Sequence, residues 1–159
     1  MIAILHNIRS NHNVGSIFRT ADAAGIEKIY LCGITPAPVD RFGRDNKALT
    51  KVALGGNEYV DWEYTKSTTK LLDTLKKDKY TILAIEQSKN SKSLYDIKLT
   101  KPQRQKTAII MGNEVKGLPS SILNRANKII EIPMHGKKES LNVSVAFGIA
   151  VFELLQKNT

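Results

Sequence analysis

Apolar and polar residues alternate along this chain in blocks. Ile2–Leu5, "KIYLCG" (Lys28–Gly33), "YTILAIE" (Tyr80–Glu86), "TAIIMG" (Thr107–Gly112) and "KIIEIP" (Lys128–Pro133) are short runs with little polar content. Several are too apolar to face water, so they read as buried strands. "EYVDWEY" (Glu58–Tyr64) reads as a further strand. Between these runs the spacing changes. Val14, Ile17, Phe18, Ala21 and Ala24 recur at helical intervals and predict a helix over Asn13–Ala24, capped by Asn11 or Asn13 and ended by Gly25. Further helices are expected at Ala48–Leu54, stopped by Gly55–Gly56, and at Ser67–Lys77, with Leu71, Leu72 and Leu75 inward. "PSSILNRA" predicts a short helix with Pro119 in its first turn. Leu141–Gln156 predicts the last helix. "ITPAPVDRFGRDN" reads as an exposed loop and "QSKNSKSLYDIKLTKPQRQ" as a long polar connection.

This alternation predicts a single α/β domain over residues 1–159, with a mainly parallel sheet flanked by helices. Ligands of such sheets bind beyond the carboxyl ends of the strands. Three polar segments leave strand ends: "HNIRSNHN", "GNEVKGLP" and "HGKKESLN".

Composition narrows the classes. With 159 residues, 42% hydrophobic and 25% charged, the chain is long enough for a core and too apolar for disorder. No apolar run approaches a membrane span, and the N-terminus lacks the basic region of a signal peptide, so a cytoplasmic protein is expected. The lone Cys32 excludes an intrachain disulfide and any thiolate zinc cluster; it reads as a buried strand-end residue. His6, His12 and His135 form no metal-binding spacing, and no metal is expected. The net charge of +9 suits a phosphate backbone but equally a lysine-rich, solubilising surface.

The loops carry candidate chemistry. "MGNEVKG" has glycines five apart but lacks the Lys-Ser/Thr of a nucleotide triphosphate loop. What is left is a glycine turn at a strand end, either ordinary or built to bring backbone close to a ligand. Glu114, inside the turn, is a solvated carboxylate or a partner for a basic group. Arg19 falls off the apolar stripe of its helix, beside Ser16 and Asp22. It is a surface residue or a site guanidinium, suited to phosphate or a developing oxyanion. Ser140 or Asn142 can cap the last helix. That helix is apolar in more directions than one core face needs, which implies deep burial or a partner subunit.

Taken in order, "NIRSNHNVGSIFRTADAAG", "AIIMGNEVKGLP" and "IEIPMHGKKESLNVSVAFGIAVFE" resemble the three motifs of the SpoU/TrmH group of SPOUT-type RNA methyltransferases. "ALTKVALGGNEYVDW" is similar to the same group. The resemblance implies a C-terminal trefoil knot, S-adenosyl-L-methionine held there largely by loop backbone, a homodimer, and methylation of a ribose 2′-hydroxyl in tRNA or rRNA. The length matches a minimal catalytic domain without an N-terminal RNA-binding extension. By position in the motifs, Arg19, Asn13, Glu114, Ser140 and Asn142 are implied at the reaction centre, with Glu114 orienting Arg19. Met111, Gly112, Asn113, Gly117, Ile132, Met134 and Leu141 are implied at the cofactor. Arg9, Arg41, Arg44, Lys47 and Lys51, in or after polar strand-end loops, are candidates for RNA contact. Exposed aromatics for base stacking look sparse. Methylation of a base atom on the same fold, and RNA binding with a vestigial pocket, are the alternatives.

Overall fold

A computed structural model describes residues 1–155. The element order is β1 (Ile2–His6), α1 (Asn11–Ala24), β2 (Lys28–Cys32), α2 (Lys47–Ala53), α3 (Gly56–Tyr59), β3 (Asp61–Thr65), α4 (Thr68–Lys77), β4 (Thr81–Ile85), β5 (Lys92–Ser93), α5 (Lys101–Gln105), β6 (Thr107–Met111), α6 (Ser120–Leu123), β7 (Lys128–Glu131) and α7 (Val143–Leu155). The strands form one seven-stranded sheet in the order β3-β2-β1-β6-β4-β7-β5. Every pairing is parallel.

The central strands are buried on both faces, as their unbroken apolar runs require. Alternation divides them. Ala3, Leu5, Ile109 and Met111 join a cluster with Phe18 of α1, Leu49 of α2 and Phe147 of α7. Ile2, Ile4, Ala108 and Ile110 join Leu72 and Leu75 of α4 and Ile122 of α6 on the other face. Cys32 is buried, and burial pushes its thiol up to about 12, so it is inert.

Several boundaries differ from expectation. The first helix begins at Asn11, capped by the Ser10 hydroxyl; neither Asn11 nor Asn13 caps it. Gly25 ends it in the left-handed region, as expected. Gly55–Gly56 does not simply stop a helix. The left-handed Gly55 turns the chain into α3, so the third strand starts at Asp61 and not at Glu58. Pro119 precedes α6 as its N-cap. The polar connection 87–105 contains β5, a short 3₁₀ turn at Leu94–Asp96, and α5. Leu94 and Ile97 are buried and pin this segment down, although its composition reads as loop. The last helix starts at Val143, capped by Asn142, which accepts from the Ser144 N–H at 2.9 Å. Its predicted end at Gln156 lies outside the described residues.

Candidate active site

The sheet order brings the carboxyl ends of β4, β6 and β7 side by side, and their loops enclose a pocket of about 310 Å³. All seven residues expected at the cofactor, Met111, Gly112, Asn113, Gly117, Ile132, Met134 and Leu141, line it. Glu114 and Ser140 line it too.

The Met111–Leu118 turn is fixed by its own atoms. The Asn113 carbonyl accepts from the Gly117 N–H at 2.9 Å, and the Asn113 side-chain oxygen accepts from the Val115 and Lys116 N–H groups. Its amide donates to the Asn7 carbonyl at 2.7 Å, which ties the turn to the loop after β1. Gly117 has φ of 64°, and a Cβ there would overlap the Glu86 carboxylate. A Cβ on Gly112 would stand 2.6 Å from the Gly117 carbonyl carbon. Close backbone approach therefore requires glycine at both positions.

At the mouth, residues from all three predicted loops meet. The Asn142 amide donates to Asn13 Oδ1 at 3.1 Å, and the Asn13 amide donates to Glu114 Oε1 at 3.1 Å. The Glu114 carboxylate also accepts from the Arg9 and Ser10 N–H groups at 3.0–3.1 Å. Its site lies just before α1, where the helix dipole favours negative charge. Partial burial pushes the Glu114 carboxyl upward. The hydrogen bonds from Arg9, its own backbone, Asn13 and Ser10 together outweigh this and hold it below 4.5. A depressed carboxyl adds stability above its unfolded value and loses it as pH falls through the folded one. The Tm difference between the wild type and Glu114→Gln should therefore be largest above pH 4.5 and close on acidification. A constant difference down to pH 3 would show that the carboxylate charge contributes nothing.

One expectation about Arg19 is corrected. Glu114 does not orient it, because the N–H groups before α1 and the Asn13 amide already occupy the carboxylate. Arg19 is exposed and lies outside the pocket. It stands about 9 Å further along α1 than Asn13 and about 120° around it. No ion pair or hydrogen bond of its side chain, with Asp22 or any other described residue, is present. Its backbone packs beside Gly56 of α3.

The loop after β4, outside the three motifs, forms the third wall. Ile85, Glu86 and Gln87 line the pocket. Glu86 accepts from the Leu118 N–H at 2.8 Å, and the Gln87 amide donates to the Glu139 carbonyl at 2.6 Å. Glu86 directly follows the apolar run of a parallel strand, the same signal that marked the other three loops. Glu131 lines the pocket as well. Of the cations expected at RNA, Arg9 flanks the cleft beside Asn13 and Glu114. Arg41, Arg44, Lys47 and Lys51 are exposed on the segment from the loop after β2 into α2. Among the described residues no cluster could hold a metal ion, and no helix is long and apolar enough to cross a membrane.

Chemically the pocket suits a ligand with an apolar part and a positive charge, since three carboxylates line it against the single Lys116. Ile85, Met111, Ile132 and Leu141 supply apolar wall, while Glu86 and Glu131 set a negative potential that disfavours phosphate. The N–H groups of Met134 and Leu141 have no protein acceptor among the described residues.

The model of the SpoU rRNA Methylase family matches residues 1–152. The chain is 32% identical over 153 residues to a tRNA (guanosine(18)-2′-O)-methyltransferase of Aquifex aeolicus, covering 96% of this chain and 67% of that one. It is 30% identical to the 23S rRNA (guanosine-2′-O-)-methyltransferase RlmB of Pseudomonas aeruginosa, covering 100% of this chain and 60% of that one. The AdoMet-bound rRNA methyltransferase from Sinorhizobium meliloti superposes with a TM-score of 0.79 at 26% identity, over 96% of this chain and 54% of the other. The chain thus spans roughly three-fifths to two-thirds of the length of these curated relatives. The parallel sheet and the loops gathered at its C-terminal half are those of the group's trefoil-knotted α/β fold. With the family match running almost from end to end and the three loops meeting at one pocket, this chain belongs to the SpoU/TrmH family of the SPOUT superfamily.

Proposed function

We propose that this chain is an S-adenosylmethionine-dependent methyltransferase that acts on a ribose 2′-hydroxyl of tRNA or rRNA, as a cytoplasmic homodimer. The observation that carries the reading is the chain of hydrogen bonds Asn142–Asn13–Glu114 at the mouth of the 310 Å³ pocket. Residues 101 and 129 positions apart meet there. When bound, S-adenosylmethionine supplies a methyl group already activated on a sulfonium. Gly112, Gly117, Met134 and Leu141 hold it by backbone and apolar contact, and Glu86 and Glu131 favour its positive charge. Asn13, Ser140 and Asn142 hold the ribose. Glu114 fixes the Asn13 amide so that its oxygen faces Asn142, and orientation of this kind contributes several kcal/mol to a group transfer.

Arg19 stabilises the oxygen that loses its proton, or grips the adjacent phosphate. We place it across a subunit boundary. On α7, Val145 and Phe152 are each 50% exposed, and Ile149 between them completes an apolar stripe. A Cβ on Gly148 would lie 3.6 Å from Thr20, so α7 packs on α1 at the residue next to Arg19, whose own backbone lies beside Gly56 of α3. A second copy covering the stripe brings a guanidinium to each cup. Replacing Val145 and Phe152 together with Glu should weaken the dimer about 100-fold or more, since a charge in an apolar interface costs several kcal/mol. Sedimentation should find the wild type as a dimer and the variant as a monomer. A monomeric wild type would overturn the dimer.

The whole reading is tested by calorimetry with S-adenosylmethionine, then by transfer of labelled methyl to unmodified tRNA and rRNA. The label should resist alkaline cleavage at its own linkage. Failure to bind the donor, or label on a base, would refute it.

A further inference from the structure

The largest cavity among those described lies away from the cofactor pocket, between the edge strand β3 and the loop that follows β2. It is a groove of about 790 Å³. Trp62 and Tyr64, two residues apart on one face of β3, form one wall. Tyr64 is half exposed, and its hydroxyl donates to the Gly33 carbonyl at 2.9 Å, which holds the ring in place. Arg41 and Arg44 line the facing loop. Their guanidiniums lie 4.7 and 5.1 Å from the centre of the exposed Phe42 ring. Two of the chain's ten aromatics line the groove, and Phe42 lies on its facing loop.

Hydrogen bonds fasten the loop that forms the groove at its start, middle and end. Asp40 closes the loop by accepting from the Phe42 and Arg44 N–H groups, and Thr35 anchors its start to the Leu5 and Cys32 carbonyls. The Asn46 amide donates to Asn11 Oδ1 at 2.8 Å, which fastens the loop's end two residues from Asn13. Two carboxylates line the groove; one is paired with an arginine and the other keeps its charge. Asp40 pairs with Arg44 at 2.7 Å, and Asp45 accepts from the Thr50 hydroxyl. Arg41 has no carboxylate partner among the described residues, and the exposed Lys47 and Lys51 follow on α2. An aromatic wall, the charges of Arg41, Lys47 and Lys51 beside it and a tether to Asn11, two residues from Asn13, match one chemistry. An unpaired base stacks on an aromatic face while cations meet its phosphates.

We infer that this groove stacks an unpaired nucleobase of the RNA, near the nucleotide held by Asn13 and Asn142. The inference rests on the RNA-directed reading above. Because Trp62 is the chain's sole tryptophan, its fluorescence reports the groove directly. The probes are single-stranded oligoadenylate of about eight nucleotides, within the usual site sizes, and an abasic oligomer of equal length and charge. Oligoadenylate should quench Trp62 and bind more tightly than the abasic strand, which should not quench. Trp62→Ala should weaken oligoadenylate binding by about 5- to 150-fold, and Trp62→Phe should keep most of it. Because Trp62 packs partly on the core, the exposed Arg41→Ala provides a second variant; it should weaken both oligomers. S-adenosylmethionine affinity, titrated on the same samples, should not change in any variant. Equal binding of the abasic strand, binding without quenching, or no binding of oligoadenylate would each overturn the groove assignment. So would quenching by a protein partner but not by RNA. Loss of donor binding in the wild type would instead sink the methyltransferase reading.

Discussion

Arg19→Ala is expected to lower methyl transfer by about 10²–10³-fold, the usual effect of removing one oxyanion contact, while S-adenosylmethionine binds as before. Donor binding is spared because Arg19 does not line the pocket in its own chain. A loss in turnover with unchanged donor affinity is the signature of an interaction made in the transition state. The position of Arg19 on α1 adds a sharper test. If it serves the partner's cup, a mixed dimer of Arg19→Ala with a subunit whose pocket is broken keeps one complete site. Mixing two inactive proteins should then restore activity. An arginine acting within its own chain predicts no recovery, and full activity of Arg19→Ala alone would remove it from the mechanism.

The broken pocket for that experiment is Gly112→Val, which should reduce S-adenosylmethionine affinity by at least about 100-fold. The first added carbon would meet the Gly117 carbonyl carbon at 2.6 Å and the Leu118 nitrogen at 2.8 Å. Both are backbone, so no rotamer change relieves the overlap. Moving them breaks the Gly117 N–H bond to Asn113 and the Leu118 N–H bond to Glu86. Overpacking of this kind costs about 1–3 kcal/mol or more, and the shift falls on the wall that meets the ligand. Gly136→Ala is the matched control. A Cβ there meets nothing within 4 Å, and donor affinity should not change. Retention of wild-type affinity in Gly112→Val would show that the turn has slack and is not the donor's cradle.

Glu86 and Trp62 belong to sites that none of the three motifs marks. Glu86 follows an apolar parallel strand as the three motif loops do, but it lies outside all three motifs. The groove at Trp62 could not be seen, because its arginines lie on a loop about twenty residues earlier and meet β3 only through the parallel pairing of β2 with β3. The misplaced start of that strand has a local cause. Gly55 adopts a left-handed conformation and starts a turn of helix through residues that suit a strand equally well. Residues 87–105 read as loop by composition, yet Leu94 and Ile97, few among many polar neighbours, suffice to anchor the segment.

By itself the sequence determined which runs are buried strands, that they lie parallel, and which polar turns stand at their ends. These follow from local spacing and from the need to bury unbroken apolar runs on both faces. Tertiary structure alone decided which turns share a wall. Inserting β6 between β1 and β4, with β7 beyond, joins Asn13, Glu114 and Asn142 and leaves Arg19 facing outward. Strand order depends on the summed packing of distant elements against both sides of the sheet, and no stretch of chain carries that sum.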